Sequence, residues 1–160
     1  MAGFVGAGES VADIGADHAY VPIFLVREGV SPFAILTDIR PGPLGRARTN
    51  VEKAAAAGYG GKFELRLGDG LAVLAEGEVD TVIIAGLGGE TIISILEADP
   101  DKTSSFGKYI LQPRTKIELL DKWLDAAGWK ATEKASADER GRLCDIIVCS
   151  PVGAPKGEKP

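Results

Sequence analysis

The stretch that decides the fold lies near the start of the chain and reads Val11-Ala12-Asp13-Ile14-Gly15-Ala16-Asp17-His18-Ala19-Tyr20-Val21-Pro22. Its apolar beginning predicts a short strand over residues 11–14. Proline is tolerated in the first turn of a helix, so Pro22 predicts that a helix starts near Val21. Residues 15–20 are then a loop at the carboxyl end of the first strand. Ligands bind at that end of an open α/β sheet, which makes this loop the first candidate binding segment.

Short strand-like runs alternate with helical patterns along the rest of the chain, which is typical of a parallel sheet covered by helices. Runs such as Thr81-Val82-Ile83-Ile84-Ala85 indicate strands that are buried on both faces. Helices are predicted over residues 43–57 and 90–97, and a capping box at Thr115-Lys116-Ile117-Glu118 predicts a further helix that ends at Gly128. The predicted strands are residues 11–14, 33–38, 63–67, 79–85, 108–112, 129–135 and 143–149.

The end of the predicted sheet distinguishes two kinds of fold. Only the polar segment 136–141 connects the last two strands, so they are expected to form an antiparallel hairpin. Dinucleotide-binding dehydrogenases instead keep a sixth parallel strand. The prediction is an α/β, Rossmann-like fold of the class I methyltransferase type. Its sheet is expected to have seven mostly parallel strands that end in an antiparallel β-hairpin, with helices on both faces.

Composition sets limits on the organisation of the chain. The 160 residues fit one domain, predicted over residues 1–150, and a Pro-, Gly- and Lys-rich tail over residues 151–160 is predicted to be disordered. No apolar stretch is long enough to cross a bilayer, and residues 1–10 do not resemble a secretory signal, so a cytoplasmic protein is expected. One histidine and the absence of a Cys-x-x-Cys motif give no reason to expect a metal.

The charge balance bears on nucleic acid as a partner. A net charge of −5 argues against a freestanding nucleic-acid binder, because neutralising phosphates requires clustered lysine and arginine. A local basic patch can nevertheless exist on an acidic protein. Its candidate residues are Arg27, Arg40, Arg46, Arg48, Arg114 and Lys116.

Acidic residues follow the first two predicted strands in positions that suit a nucleoside ligand. In the first loop, Gly15 permits close backbone approach, and Asp13 or Asp17 can pair with the ammonium of a methionine moiety. Asp38, which is followed by Ile39, ends the second strand at the position where an acid takes ribose hydroxyls.

The third and fourth strands are followed by segments that permit two interpretations each. Asp69, before Gly70, can accept a hydrogen bond from an adenine amino group or cap the next turn. The segment Ala85-Gly86-Leu87-Gly88-Gly89 can present backbone N–H groups to a ligand or form a tight connection to the next helix. This segment lacks the Asn/Asp-Pro-Pro of amino methyltransferases that act on DNA, and the first loop lacks the Gly-x-Gly-x-x-Gly of dinucleotide sites. The three acid-bearing loops together indicate a ligand site at one edge of the sheet.

Three motifs together resemble a known family. Residues 13–22, Ile84-Ala85-Gly86-Leu87-Gly88-Gly89 and Leu111-Gln112-Pro113 are similar, in order and spacing, to the bacterial tRNA methyltransferases that modify N1 of adenine 22. The resemblance spans about residues 11–148 and implies an S-adenosylmethionine-dependent methyltransferase with tRNA as its substrate. It also implies that the methyl acceptor enters above His18, Tyr20 and the region 86–112.

The motifs and the resemblance define the expected site. Acceptor-site or catalytic roles are expected for His18, Tyr20 and Gln112. His18 could instead be a solvent-exposed loop residue, and Tyr20 could pack under the loop. The expected cofactor-binding residues are Asp13, Gly15, Asp17, His18, Asp38, Ile39, Asp69, Gly70, Ala85 and Gly86.

Departures from the family pattern leave rival functions open. Arg114 and Thr115 stand where two asparagines commonly follow the Gln-Pro pair in the family. Family members usually begin with a helix before the first strand and end with a helical extension, for which this chain has no room, so tRNA binding is expected to be poor and strongly salt-dependent. One rival is a methyltransferase for a small molecule or a protein, which the acidic charge would suit. The other is a cofactor-binding module without catalysis.

Overall fold

Seven strands and five α-helices form the part of the chain that the computed structural model describes, residues 1–139 and 141–153. The strands are β1 (Val11–Ile14), β2 (Ala34–Asp38), β3 (Phe63–Leu67), β4 (Thr81–Gly88), β5 (Lys108–Thr115), β6 (Lys130–Glu139) and β7 (Arg142–Ser150). The helices are α1 (Tyr20–Arg27), α2 (Pro41–Ala54), α3 (Gly89–Glu97), α4 (Pro100–Ser104) and α5 (Ile117–Ala126). Short 3-10 turns cover Ala2–Phe4 and Gly70–Val73, and α2 continues into a π-helical segment, Ala55–Tyr59.

The strands form one sheet in the order β3-β2-β1-β4-β5-β7-β6. Strands β1 to β5 pair in parallel, whereas β7 runs antiparallel to both β5 and β6. The predicted α/β, Rossmann-like architecture is therefore confirmed, including the terminal hairpin. The strand order reverses its direction between β1 and β4, and such a switch point is where ligands bind in open α/β sheets.

Both faces of the central strands are buried, which explains their unbroken apolar sequences. On one face, Ile84 belongs to a core cluster that includes Ile92 of α3 and Leu120 of α5. On the other face, Ile83 packs in a cluster with Leu25 of α1. Because helices cover both faces, the open part of the sheet is the edge where the loops after the parallel strands meet.

Three strands extend three or more residues beyond their predicted ends. β4 runs to Gly88 and β5 to Thr115, three residues further than predicted, because the two strands continue to pair with each other. β6 extends to Glu139, so most of the polar segment 136–141 belongs to the hairpin ladder. Hydrogen bonding to a neighbouring strand decides these ends, and side-chain polarity does not reveal it.

The predicted capping box before α5 is wrong. Thr115 ends β5, and the residue that precedes α5 is Lys116, which has a φ of 56° and no side-chain cap. The predicted stop at Gly128 is confirmed, since this glycine follows α5 with a φ of 72°. Helix α2 starts at Pro41, two residues before the predicted position.

No helix in residues 1–139 and 141–153 has the length and apolar character to span a membrane. Of the predicted tail, residues 154–160 lie outside the described part of the chain. The division into a domain over residues 1–150 and a tail therefore stays a prediction.

Candidate functional site

A cavity of about 770 Å³ opens at the carboxyl ends of β1 to β4, within the size range of small-molecule sites. It lies across the switch point between β1 and β4. The structure thus brings together segments that are far apart in the sequence, since the lining residues run from Ile14 to Arg114. The predicted cofactor-binding residues that line it are Gly15, Asp17, Asp38, Ile39, Asp69, Gly70, Ala85 and Gly86.

The loop after β1 is tied to the neighbouring strand by its backbone. Gly15 has a φ of 80°, and the N–H groups of Gly15 and Ala16 both donate to the carbonyl oxygen of Thr37 at 2.9 Å. Gly15 therefore lets the chain turn sharply beside the cavity. Its N–H group is already used within the fold, so its contribution to the site is space for a ligand.

Asp13 lies on β1, two residues before Gly15, and is not among the residues that line the cavity. Burial raises the pKa of the Asp13 carboxyl to about 7, and no described neighbour offsets this rise with a charge or a hydrogen bond. An ammonium group close to this carboxyl would stabilise its ionised form. Asp13 is therefore a half-buried acid whose charge no described neighbour compensates.

Asp17 differs from Asp13, because the fold already pairs its carboxylate with an arginine. Arg46 of α2 donates from Nε to Oδ1 of Asp17 at 2.5 Å, and this hydrogen bond lowers the pKa of Asp17. Arg46 was a candidate for a basic patch, and the structure assigns it to this ion pair. The pairing joins residues 29 apart on different elements, and no local sequence signal reveals it.

The end of β2 contributes two polar groups to the cavity. Asp38 is only 5% exposed, and its Oδ1 accepts the backbone N–H of Arg40 at 2.9 Å. Thr37 was not predicted, although it lines the cavity and its Oγ1 is the one buried side-chain polar atom in the described residues without a hydrogen-bond partner. A polar residue within the apolar run of β2 is the signal that could have identified it. A buried hydroxyl of this kind calls for a partner from outside the fold.

The end of β3 forms the far wall of the cavity. Asp69 precedes the 3-10 turn Gly70–Val73 without capping it through its side chain. Its carboxyl is therefore not engaged as the predicted cap. Gly70 has a φ of 49°, and Ile95 of α3 packs close to its backbone. Ile95 of α3 and Leu71 of the 3-10 turn provide apolar surface next to Asp69. The sequence did not predict that these two residues line the cavity.

The glycines at the end of β4 and the start of α3 have different roles, and each fits one of the two predicted interpretations. Gly86 has a φ of 75° and lines the cavity. Gly89 instead makes a tight connection, because an added Cβ would collide with the carbonyl oxygen of Lys116. The first glycine therefore shapes the ligand site, and the last allows α3 to pack against the end of β5.

His18 and Tyr20 form a stacked pair beside the cavity rather than part of its lining. Their ring centroids are 5.2 Å apart with an interplanar angle of 5°. Ala19 between them has a φ of 58°, and Asn50 donates to the carbonyl oxygen of His18 at 2.9 Å, which fixes the turn. Tyr20 is 67% exposed, so it does not pack under the loop.

Gln112, the third predicted acceptor-site residue, is buried on β5. Its exposure is 7%, and it lies in register with Ala85 on β4. Gln112 does not line the cavity itself, but its strand neighbour Ala85 does, which places Gln112 under the β4 end of the cavity. Among the described residues there is no cluster of three or more His, Cys, Asp or Glu side chains that could hold a metal ion.

The sheet with its reversed terminal hairpin, together with the acids that follow successive strands, defines a Rossmann-like class I methyltransferase. Residues 1–147 match the family model described as a methyltransferase domain. The tRNA (adenine(22)-N(1))-methyltransferase of Bacillus subtilis is 35% identical over 148 residues, which are 92% of this chain and 61% of that protein. The chain thus spans about three fifths of the length of this curated relative.

Two solved structures have the same fold and contain S-adenosyl-L-methionine or S-adenosyl-homocysteine. A Streptococcus pneumoniae protein in complex with S-adenosyl-L-methionine is 36% identical, with a TM-score of 0.86 over 98% of this chain and 72% of that one. Mycoplasma capricolum TrmK in complex with S-adenosyl-homocysteine is 29% identical, with a TM-score of 0.80 over 99% and 69% of the two chains. The chain belongs to the methyltransferase-domain family, and it is similar to a bacterial tRNA (adenine(22)-N(1))-methyltransferase.

Proposed function

We propose that this chain is a methyltransferase domain, over residues 1–150, that transfers a methyl group from S-adenosylmethionine to N1 of adenine 22 in tRNA. The proposed place of action is the cytoplasm. The observation that carries the proposal is the cavity at the β1–β4 switch point, where acids from successive strands meet. Relatives whose structures contain S-adenosylmethionine or S-adenosyl-homocysteine support the choice of ligand.

The residues of the cavity fit the adenosine part of this cofactor. Asp38 retains a carboxylate oxygen that can accept from ribose hydroxyls, and the Thr37 hydroxyl needs a partner at the same place. Asp69 can accept from the adenine amino group, while Leu71 and Ile95 offer apolar surface to the ring. We assign Ile39 and Gly70 to the rim around the same ring. Polar groups that orient a ligand within a largely apolar pocket are typical of cofactor sites.

The ammonium of the methionine part is assigned to Asp13. The sequence left a choice between Asp13 and Asp17, and the Arg46–Asp17 ion pair favours Asp13. Gly15, Ala85 and Gly86 would then surround the chain that links this end to the ribose.

Methyl transfer to adenine N1 depends on the alignment of the base with the methyl group more than on acid–base catalysis. Neutral adenine N1 already carries an in-plane lone pair, so no residue has to remove a proton to create the nucleophile. When bound, the cofactor supplies a methyl group on a positively charged sulfur. The chain has to hold the base so that N1 points at that group, and correct positioning can supply much of the rate enhancement.

The acceptor base is assigned to the His18–Tyr20 stack and to Gln112. Tyr20 offers an exposed ring face on which a base removed from its RNA stack can lie. The parallel contact with His18 fixes the orientation of that ring. Gln112, under the β4 end of the cavity, is proposed to read the edge of the base.

Incorporation of labelled methyl groups tests the proposed function. With methyl-labelled S-adenosylmethionine at low salt, we expect label in a bacterial tRNA that carries adenine at position 22. The same tRNA with guanine at position 22 should take up little label, which controls for other sites. If the chain binds S-adenosyl-homocysteine but labels neither tRNA, the proposal of catalysis is wrong and the chain is a cofactor-binding module.

A further inference from the structure

Arg114 is placed over the cavity by an irregularity in the pairing of β4 with β5. The register runs from Ala85 opposite Gln112 to Leu87 opposite Pro113 and then to Gly88 opposite Thr115. The register therefore skips one residue on each strand, Gly86 on β4 and Arg114 on β5. Irregularities of this kind bend a strand and redirect a side chain, and they are common next to active sites.

The two residues that the register skips lie against each other. A Cβ built on Gly86 would lie 3.4 Å from Nε and 3.5 Å from Nη2 of Arg114, so the guanidinium covers the space that a side chain at position 86 would occupy. Both residues line the cavity. The guanidinium is thus held at the β4 end of the cavity, where it presents a planar cation to a ligand.

The position of Arg114 along the sheet suits one end of the cofactor. Under the proposed function, on which the role of Arg114 rests, Asp69 and Asp38 bind the adenine and the ribose. Beyond the ribose the ligand must extend past β1 toward β4, which is two strand spacings or about 10 Å from β2. The aminocarboxypropyl group of S-adenosylmethionine would then end beside Gly86. That group carries an ammonium and a carboxylate.

The charges at this end of the cavity match those of an amino acid. Asp13 on β1 is assigned to the ammonium, and the carboxylate requires a cation. Three cationic side chains are among the described residues that line the cavity, namely Arg40, Lys102 and Arg114. Arg40 follows β2 next to Asp38, and Lys102 belongs to α4. Only Arg114 lies at the β4–β5 end.

We propose that Arg114 binds the carboxylate of the methionine moiety and so selects cofactors that carry a complete amino acid end. A guanidinium can hold a carboxylate through two parallel N–H donors, which an asparagine cannot do. A contact between Arg114 and the reacting base is disfavoured, because N1-methylation leaves positive charge on the adenine and a nearby cation would oppose that charge.

Three ligands separate the possible roles of Arg114. S-adenosylmethionine carries both charged groups, decarboxylated S-adenosylmethionine keeps the ammonium alone, and 5′-methylthioadenosine has neither. For Arg114→Gln, calorimetry should show a loss of about 10- to 100-fold in affinity for S-adenosylmethionine. The affinities for the other two ligands should stay within about twofold of the wild-type values. Arg114→Lys should recover part of the loss.

Arg40→Gln is the matched control, since it removes the same charge from the same cavity next to Asp38. It should change the affinities for S-adenosylmethionine and its decarboxylated form by the same factor. Equal losses for all three ligands in Arg114→Gln, or no loss for any, would overturn the assignment. Unchanged cofactor affinities together with weaker tRNA binding would also overturn it, because the anion would then be a phosphate of the RNA. If wild-type protein binds none of the three ligands, the proposed function itself fails.

Discussion

Replacing Asp38 with alanine is expected to weaken binding of S-adenosyl-homocysteine by about 10- to 150-fold. A charge-assisted hydrogen bond is worth about 1.5 to 3 kcal/mol, and Asp38 is the one acid at the place where the ribose is assigned. Its near-complete burial makes the loss large, because water cannot easily substitute for the carboxylate. Isothermal titration calorimetry of the two proteins measures the effect directly.

Asp38→Asn is the control for an indirect effect through the fold. Asp38 also accepts the backbone N–H of Arg40, and an asparagine side chain can still accept this hydrogen bond. The Asn variant should therefore unfold close to the wild-type temperature and bind more weakly than wild type. If Asp38→Ala folds and binds with unchanged affinity, Asp38 does not contact the cofactor.

Asp13→Asn is expected to stabilise the ligand-free protein above pH 7 while it weakens cofactor binding. Burial raises the pKa of Asp13 from 3.8 to about 7, so the folded protein holds this proton more tightly than the unfolded chain does. As the pH rises from about 4 to about 7, the unfolded chain releases the proton first, and the folded state loses stability relative to it. Asparagine has no charge to bury, so we expect a gain of about 2 kcal/mol at pH 8, or a few degrees in Tm.

The pH dependence distinguishes this cause from a change in packing. The stability difference between Asp13→Asn and wild type should shrink as the pH falls and vanish below about pH 4, since both side chains are then neutral. In the wild-type protein, cofactor affinity should rise with pH through about 7, because the ammonium favours the ionised carboxyl. The Asn variant should lack this rise. An Asn variant that is less stable than wild type at pH 8 would contradict our account of Asp13.

The fold could be predicted from the sequence because it depends on local patterns. Each buried strand is an apolar run, the helices between them have amphipathic spacing, and only a polar connection separates β6 from β7. The ends of the strands could not be predicted, since they depend on a partner strand. Thr115 shows this limit: its sequence context fits a helix cap, but pairing with Gly88 keeps it in β5.

The site was predictable in part for the same reason. The carboxyl ends of parallel strands lie at one edge, so Asp38, Asp69 and Gly86 could be placed together without a structure. Contacts between elements could not be foreseen. The pairing of Asp17 with Arg46 and the placement of Arg114 over Gly86 depend on how α2 and β5 pack, and neither contact has a local signature.

The identity of the methylated nucleoside tests the central claim most directly. The chain would be incubated with S-adenosylmethionine and tRNA carrying adenine 22, and the digested RNA analysed by chromatography and mass spectrometry against nucleoside standards. Our account predicts 1-methyladenosine, because N1 needs only alignment, and the end of β4 is Ala85-Gly86-Leu87-Gly88 rather than the Asn/Asp-Pro-Pro of amino methyltransferases. N6-methyladenosine as the main product would contradict it.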